Sequence, residues 1–202
     1  MARPAQPQKR RELARKAIAV LQREGLAVSM SRLSDVLEIK RPTLLYHLPT
    51  KAHIIEVALE DLLVEQAGFV MERLTGHEHP IDRLIAHLRA VHAFHHGREH
   101  RVMFLSQAIA AVGSDRLTEI IAVGNRVFEM NRKDAADRVR RGIEEGTVHA
   151  CDVDALMAMM RAMSDGLVVQ RVMTGIGLDP VHEFLWERVL LPLKREPEET
   201  SS

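Results

Sequence analysis

Residues 28–58 read VSMSRLSDVLEIKRPTLLYHLPTKAHIIEVA. Two short segments with helical apolar spacing lie inside this stretch. The first begins after Ser29, whose hydroxyl suits the free N–H groups of a helix start, and turns Met30, Leu33, Val36 and Leu37 inward. The second begins at Arg41, with Pro42 in the first turn, where a missing N–H is harmless, and closes at His47-Leu48 before Pro49. Only Glu38, Ile39 and Lys40 separate them, which leaves room for a tight turn and nothing more. This spacing predicts a helix-turn-helix, the layout in which the second helix enters a major groove. Ile39 is expected to plug the space between the two helices.

On the upstream side, Leu13, Ala17, Val20 and Leu21 form the stripe of a helix from about Lys9 to Glu24, stopped by Gly25. Downstream, Thr50 caps a long helix, about Lys51 to Leu74, with Ile54, Ile55, Ala58, Leu62 and Phe69 as spine. Helices are then expected at 81–96, 98–112, 115–144, 153–174 and 180–193, with breaks at Gly97, Gly113, Gly146 and Gly175-Ile176-Gly177. Alternating runs of β-branched and aromatic residues are absent. The expected fold is all-α, with about nine helices. A three-helix N-terminal unit over 1–51 is joined by the long helix to a helical bundle over 52–202.

Composition bounds the function. Of 202 residues, 46% are hydrophobic, which excludes a disordered chain. The single cysteine, Cys151, excludes an internal disulfide framework and points to a reducing compartment. The longest uncharged run, Val102 to Ser114, is too short to span a bilayer, and the first residues lack an apolar signal core. A cytoplasmic protein with no membrane partner is expected. There is no Gly-rich phosphate loop, no Gly-x-Ser-x-Gly and no arranged Cys-His pair, so neither an enzyme nor a cofactor is expected. The formal net charge is zero, yet residues 1–51 carry 11 Lys+Arg against 4 Asp+Glu, a charge of +7, balanced by −7 in the remainder. Charge so divided points to a nucleic-acid partner at the basic end.

The segment Arg41-Pro42-Thr43-Leu44-Leu45-Tyr46-His47-Leu48-Pro49-Thr50-Lys51 resembles the recognition-helix region of the TetR family of bacterial transcriptional regulators. That family's pattern is Thr-Leu-aromatic-aromatic-His-aromatic followed by Lys. Pro42-Thr43 is especially similar to the tetracycline-repressor branch. The resemblance covers about residues 9–62 and is architectural beyond them. It implies a homodimeric repressor of a palindromic operator in double-stranded DNA, released by a small apolar or amphipathic effector.

Carried over residue by residue, the resemblance gives a set of DNA contacts. Arg41 is placed to reach base edges, with guanine its preferred bidentate partner. Thr43 meets a thymine methyl or a phosphate, and His47, four residues after Thr43, a phosphate. Lys51, at a helix N-terminus, adds its charge to free N–H groups at a phosphate site. Tyr46 is expected to pack inward. Pro42 and Leu45 complete the set, although Leu45 stands where the family usually has Tyr. Lys40 replaces the usual small cap and becomes a phosphate contact. Arg10 and Arg11, beside Lys9, flank the site.

A half-site reader needs a twofold partner. The last two helices are apolar on more than one side, and Leu156, Leu167, Phe184, Leu185, Trp186 and Val189 are expected at the dimer interface, where Asp165-Gly166-Leu167 resembles a common family segment. Inward positions of the middle helices supply the expected effector pocket: Leu88, His92, His95, Phe104, Gln107, Asn125, Phe128, Met157, Met160 and Met163. Ten methionines give such surfaces adaptability. Two other readings stay open. His92 and His96, an i, i+4 pair, suit a metal-responsive regulator. A helical interaction protein without DNA binding would make the basic end incidental.

Overall fold

The computed structural model describes the backbone of residues 7–111 and 114–195, and their side chains apart from 114–121 and 123–128. Nine α-helices are present among the described residues: α1 (Pro7–Glu24), α2 (Met30–Val36), α3 (Arg41–His47), α4 (Lys51–Leu74), α5 (Pro80–His95), α6 (Glu99–Ala110), α7 (Ser114–Glu144), α8 (Val153–Thr174) and α9 (Asp179–Leu185). The all-α expectation holds. One isolated antiparallel bridge, Val148 with Lys194, is the sole extended pairing among them.

The helices gather into two compact units, residues 1–65 with 101–126, and residues 66–100 with 127–202. The division thus falls inside α4 at Glu65–Gln66, and the first unit also takes in α6 and the start of α7. A boundary at Lys51, drawn from the sequence, could not register that later segment.

In the first unit, Leu13, Ala14, Ala17, Val20 and Leu21 of α1 meet Leu33 of α2, Leu44 of α3, Leu48, and Ile54 and Val57 of α4. Spacings of three and four put these apolar groups on one face of each helix. Leu33, Leu44 and Leu48 are wholly buried, each contributing about 1.5–3 kcal/mol through the water it leaves. The Ser29 hydroxyl accepts the Arg32 N–H at 3.1 Å and fixes the start of α2. Between α2 and α3, Glu38 adopts a left-handed conformation at φ 53°, and Ile39 packs on the core as expected. The turn is tight because the Ile39 N–H reaches back to the Ser34 carbonyl at 3.0 Å.

In the second unit, Ile81, Leu84, Ile85 and Leu88 of α5 pack with Ala136 and Val139 of α7, Leu156, Met157 and Met160 of α8, and Leu185 and Leu190. His79 opens α5: its Nδ1 accepts the Ile81 N–H at 3.2 Å, and its Nε2 donates to the Thr147 carbonyl at 3.1 Å. Gly142 of α7 sits where a Cβ would lie 2.7 Å from Val148 Cγ2, so the loop after α7 can fold flat against the helix. The segment expected as one helix over 180–193 breaks into three. After α9 come a π-helical turn, Trp186–Leu190, and a 3₁₀ turn, Leu191–Leu193. Leu191 N–H reaches the Trp186 carbonyl, five residues back, and Pro192 has no N–H to continue the ladder. Lys194 then joins the bridge to Val148 and holds Asp82 at 2.9 and 3.0 Å.

Candidate nucleic-acid interface

Helix α3 is anchored through Leu44, with Leu48 just beyond its end. The periodicity that buries these two turns Arg41, Pro42, Thr43 and Tyr46 to the surface, while Leu45 and His47 are half-buried. Tyr46 does not pack inward: it is 46% exposed, with its ring edge-on to His47 at 5.0 Å. The apolar place expected for it is filled by Leu44. His47 Nδ1 is buried and has no hydrogen-bond partner among the described residues.

The basic charge of this unit divides sharply. Arg15 binds Asp61 at 2.8 Å, Lys16 binds Glu12 at 2.8 Å, Arg23 binds Glu24 at 2.9 Å, Arg32 binds Glu24 at 3.1 Å, and Arg11 lies 4.0 Å from Asp61. Hydrogen bonds from Arg23 and Arg32 hold the Glu24 carboxyl below its usual range. Lys40 and Arg41, both exposed, have no such partner among the described residues. Lys51 is engaged internally, its Nζ donating to the Leu26 carbonyl at 2.7 Å. Arg10 has a buried Nε with no partner among the described residues. The surface of α3 therefore presents two unmatched cations beside a hydroxyl and a phenol. This combination can contact phosphates and base edges together.

The other expected sites fare differently. Leu88, Met157 and Met160 fill the core of the second unit, and Met163 packs at its edge. Phe104 packs instead on the core of the first unit, and Gln107 is exposed, because α6 turns Leu105 and Ala108 inward. Neither therefore joins the pocket that the sequence assigned to it. The side chains of Asn125 and Phe128 lie outside the described residues.

His92 and His95 are both buried. His95 Nε2 bonds the Gln66 amide oxygen at 3.0 Å, and Phe69 and Phe94 pack 5.4 Å apart nearby on the same two helices. His92 Nε2 donates to the Ser164 carbonyl at 3.2 Å, and its Nδ1 lies 2.7 Å from His182 Nε2. Both ring nitrogens are thus occupied. His96 has left the helix, at ψ 123°, which destroys the i, i+4 register of the expected metal pair. Among the described residues no three His, Cys, Asp or Glu gather as ligands. A partner histidine ninety residues away carries no local sequence signal, which is why His182 was missed.

On α8 the inward stripe contains Leu156 and Leu167, both buried, and Leu185 of α9 shares the core of Leu156. These three cannot offer surface to a second chain. Trp186 and Val189 pack partly on that core. Phe184 is 65% exposed. The outward side of α8 carries Ala155, Ala158, Ala162 and Gly166, then Val169, Val172 and Met173. The exposed apolar set is thus one helical face away from most of the residues expected.

The fold is shared with solved bacterial regulators. A regulator from Saccharomonospora viridis, solved with choline, aligns over 95% of this chain and 100% of its own, at TM-score 0.71 and 18% identity. The TetR-family regulator PfmR from Thermus thermophilus aligns over 91% and 99%, at TM-score 0.65 and 18% identity. The ketosteroid regulator KstR2 of Mycobacterium tuberculosis aligns over 93% and 96%, at TM-score 0.60 and 22% identity. No protein-family model and no curated protein matches the chain.

Proposed function

We propose that this chain, folded as the TetR-family regulators are, is a homodimeric DNA-binding transcriptional regulator whose hold on its operator responds to a small molecule. The observation that carries the reading is the surface of α3. Lys40 and Arg41 stand unmatched beside exposed Thr43 and Tyr46, while Arg11, Arg15, Lys16, Arg23 and Arg32 of the same unit are paired with carboxylates. Two adjacent unmatched cations at the start of α3, beside an exposed hydroxyl and phenol, suit contact with a phosphate backbone and base edges.

Dimerisation follows from the recognition mode. One short helix reads few base pairs, and a twofold pair of them reads a palindrome. The interface proposed is the outward side of α8 with Phe184. Its alanines and glycine allow two helices to approach closely, and its valines and Phe184 supply apolar area. Repression follows if the operator overlaps a promoter.

For the effector, an apolar or amphipathic molecule is proposed. The sixteen-residue α5 offers His95 with its Gln66 partner as buried polar groups among aromatic and aliphatic neighbours, a composition typical of ligand sites. Similar folds include one solved with choline and one described as a ketosteroid regulator, so the fold serves unlike ligands. Helix α4 is the proposed link, since its residues belong to both units. An effector would act only through a difference in affinity between the DNA-bound and free forms.

The test is selection of genomic fragments with the purified protein. A recovered palindrome, bound by the wild type and lost in Arg41→Ala and Thr43→Ala, is the expected result. Recovery of no sequence above background, with the protein folded, would reject the reading in favour of a helical interaction protein.

A further inference from the structure

The first unit holds a cavity of about 240 Å³ between α1, α4 and α6. Ile18 and Ala19 of α1, Ala58 and Leu62 of α4, and Leu105 of α6 give it an apolar wall. Its polar side carries Arg15, Asp61, Glu65 and Arg101, with Gln22 as an uncharged donor and acceptor. The charges are not equally available. Asp61 is bound by Arg15 at 2.8 Å, with Arg11 at 4.0 Å, and Glu65 lies 3.5 Å from the same Arg15. Arg101 has no ion-pair partner among the described residues. With Arg11 counted beside the lining, three guanidinium groups face two carboxylates, and Arg101 is the one left without a carboxylate against the apolar wall.

We infer that the cavity between α1, α4 and α6 is a second small-molecule site, taking a compact ligand with an apolar body and a single carboxylate bound by Arg101. The volume lies below the ~300 Å³ lower end of ordinary ligand pockets, which limits the body to a short chain or a single ring. A guanidinium presents a planar fork that matches a carboxylate in two hydrogen bonds. A cationic head would meet Arg101 with like charge and find both carboxylates already taken. This site belongs to the first unit, whereas the effector pocket proposed above draws on the second, and it stands whether or not that pocket exists. Since α1 packs against both α2 and α3, occupancy would be linked to the DNA-binding helices, and DNA to occupancy, by the same coupling factor.

The experiment titrates the full chain with octanoate, following heat and backbone amide shifts, with 1-octanol and octylammonium as comparisons. Octanoate is expected to bind with its largest shifts at Ala19, Ala58 and Leu105. Arg101→Gln should weaken it at least about tenfold, or about 1.4 kcal/mol. Ala19→Phe, placed at an exposed position on the rim, should block it without disturbing the core. Octanol and octylammonium should bind more weakly than octanoate by a similar factor. If one variant fails to fold by circular dichroism, the other decides. The inference is overturned if octanoate does not bind at millimolar concentration, if its shifts cluster outside residues 1–65 and 101–126, if the folded variants bind it like wild type, or if octylammonium binds equally well.

Discussion

His92 Nδ1 lies 2.7 Å from His182 Nε2 with the two rings nearly parallel, 7° apart, in the interior of the second unit. The bond from His92 Nε2 to the Ser164 carbonyl requires a proton on Nε2. Nδ1 of His92 is therefore the acceptor, and His182 donates from Nε2. His92 is neutral in this arrangement. A proton added to His92 would replace the acceptor with a donor facing a donor.

Acid should therefore weaken the fold. Burial first, then the neighbouring His182, lowers the His92 pKa to about 4, against about 6.5 for an ordinary histidine. Burial and then Arg89 lower His182 as well, with Asp179 opposing. The unfolded chain binds more protons than the native one below pH 6.5. Stability is thus complete above that value and falls as pH drops toward 4. His92 alone should remove about 2 kcal/mol between pH 7 and 5. Urea midpoints at the two pH values measure the drop, and His92→Gln should shrink it. An equal drop in the variant would place the acid sensitivity elsewhere.

Arg41→Ala should weaken binding to the cognate site by about 1–3 kcal/mol and relax preference at the base pair it reads. The side chain is exposed and unpaired, so the thermal midpoint should stay unchanged. Gel-shift titrations on matched and mutated half-sites, beside a melting curve, check both parts. A loss of stability would mean that Arg41 holds the fold rather than the DNA.

Glu38→Gly should stabilise the first unit. An L residue in the left-handed region costs about 1–2 kcal/mol, and glycine avoids this while giving back about 0.5–1 kcal/mol of backbone entropy. The net gain is therefore about 0–1.5 kcal/mol, centred on ~0.7 kcal/mol. Chemical denaturation reads it directly, and a destabilised variant would show that the Glu38 side chain does more for the turn than its strain costs.

Gly142→Ala should act in the opposite direction although alanine favours helices. The new methyl would sit 2.7 Å from Val148 and 3.1 Å from Pro80, and overpacking of this kind costs about 1–3 kcal/mol. An unchanged or raised thermal midpoint would mean that the loop moves aside freely.

Phe184→Asp should convert a dimer to monomers. The side chain is 65% exposed, so the monomer fold should lose little. Sedimentation velocity distinguishes the species, with circular dichroism as the control for folding. A variant that sediments like wild type would remove Phe184 from the interface.

Much of the fold could be read locally. The bounds of α8 follow from Asp152, whose carboxylate accepts the Ala155 N–H at 3.0 Å, and from Gly175 in the left-handed region at φ 70°. Both signals sit at the helix ends, in the residues themselves. Helix α3 was legible for the same reason, since Pro42 and the spacing of Leu44 and Leu48 fix which face is free. What stayed hidden depends on distant partners. The Lys51 bond to the Leu26 carbonyl, the His79 bond to the Thr147 carbonyl and the His92–His182 contact join segments that no period connects. Tyr46 was misread because aromatic character outweighed phase: its position on α3 is an outward one.

The ion pairs of α1 and α2 bear on how the proposed binding to a duplex would respond to salt. Five of the eleven cations of residues 1–51, namely Arg11, Arg15, Lys16, Arg23 and Arg32, already face carboxylates. A cation displaces a condensed counterion only if it is available to a phosphate, and each one displaced steepens the logarithmic dependence on ionic strength by about 0.9. A count of eleven cations thus overstates the response, since six are left outside these pairs. Affinity should fade more gently with added potassium chloride than a charge count suggests, leaving shape and base contacts to supply a larger share of recognition.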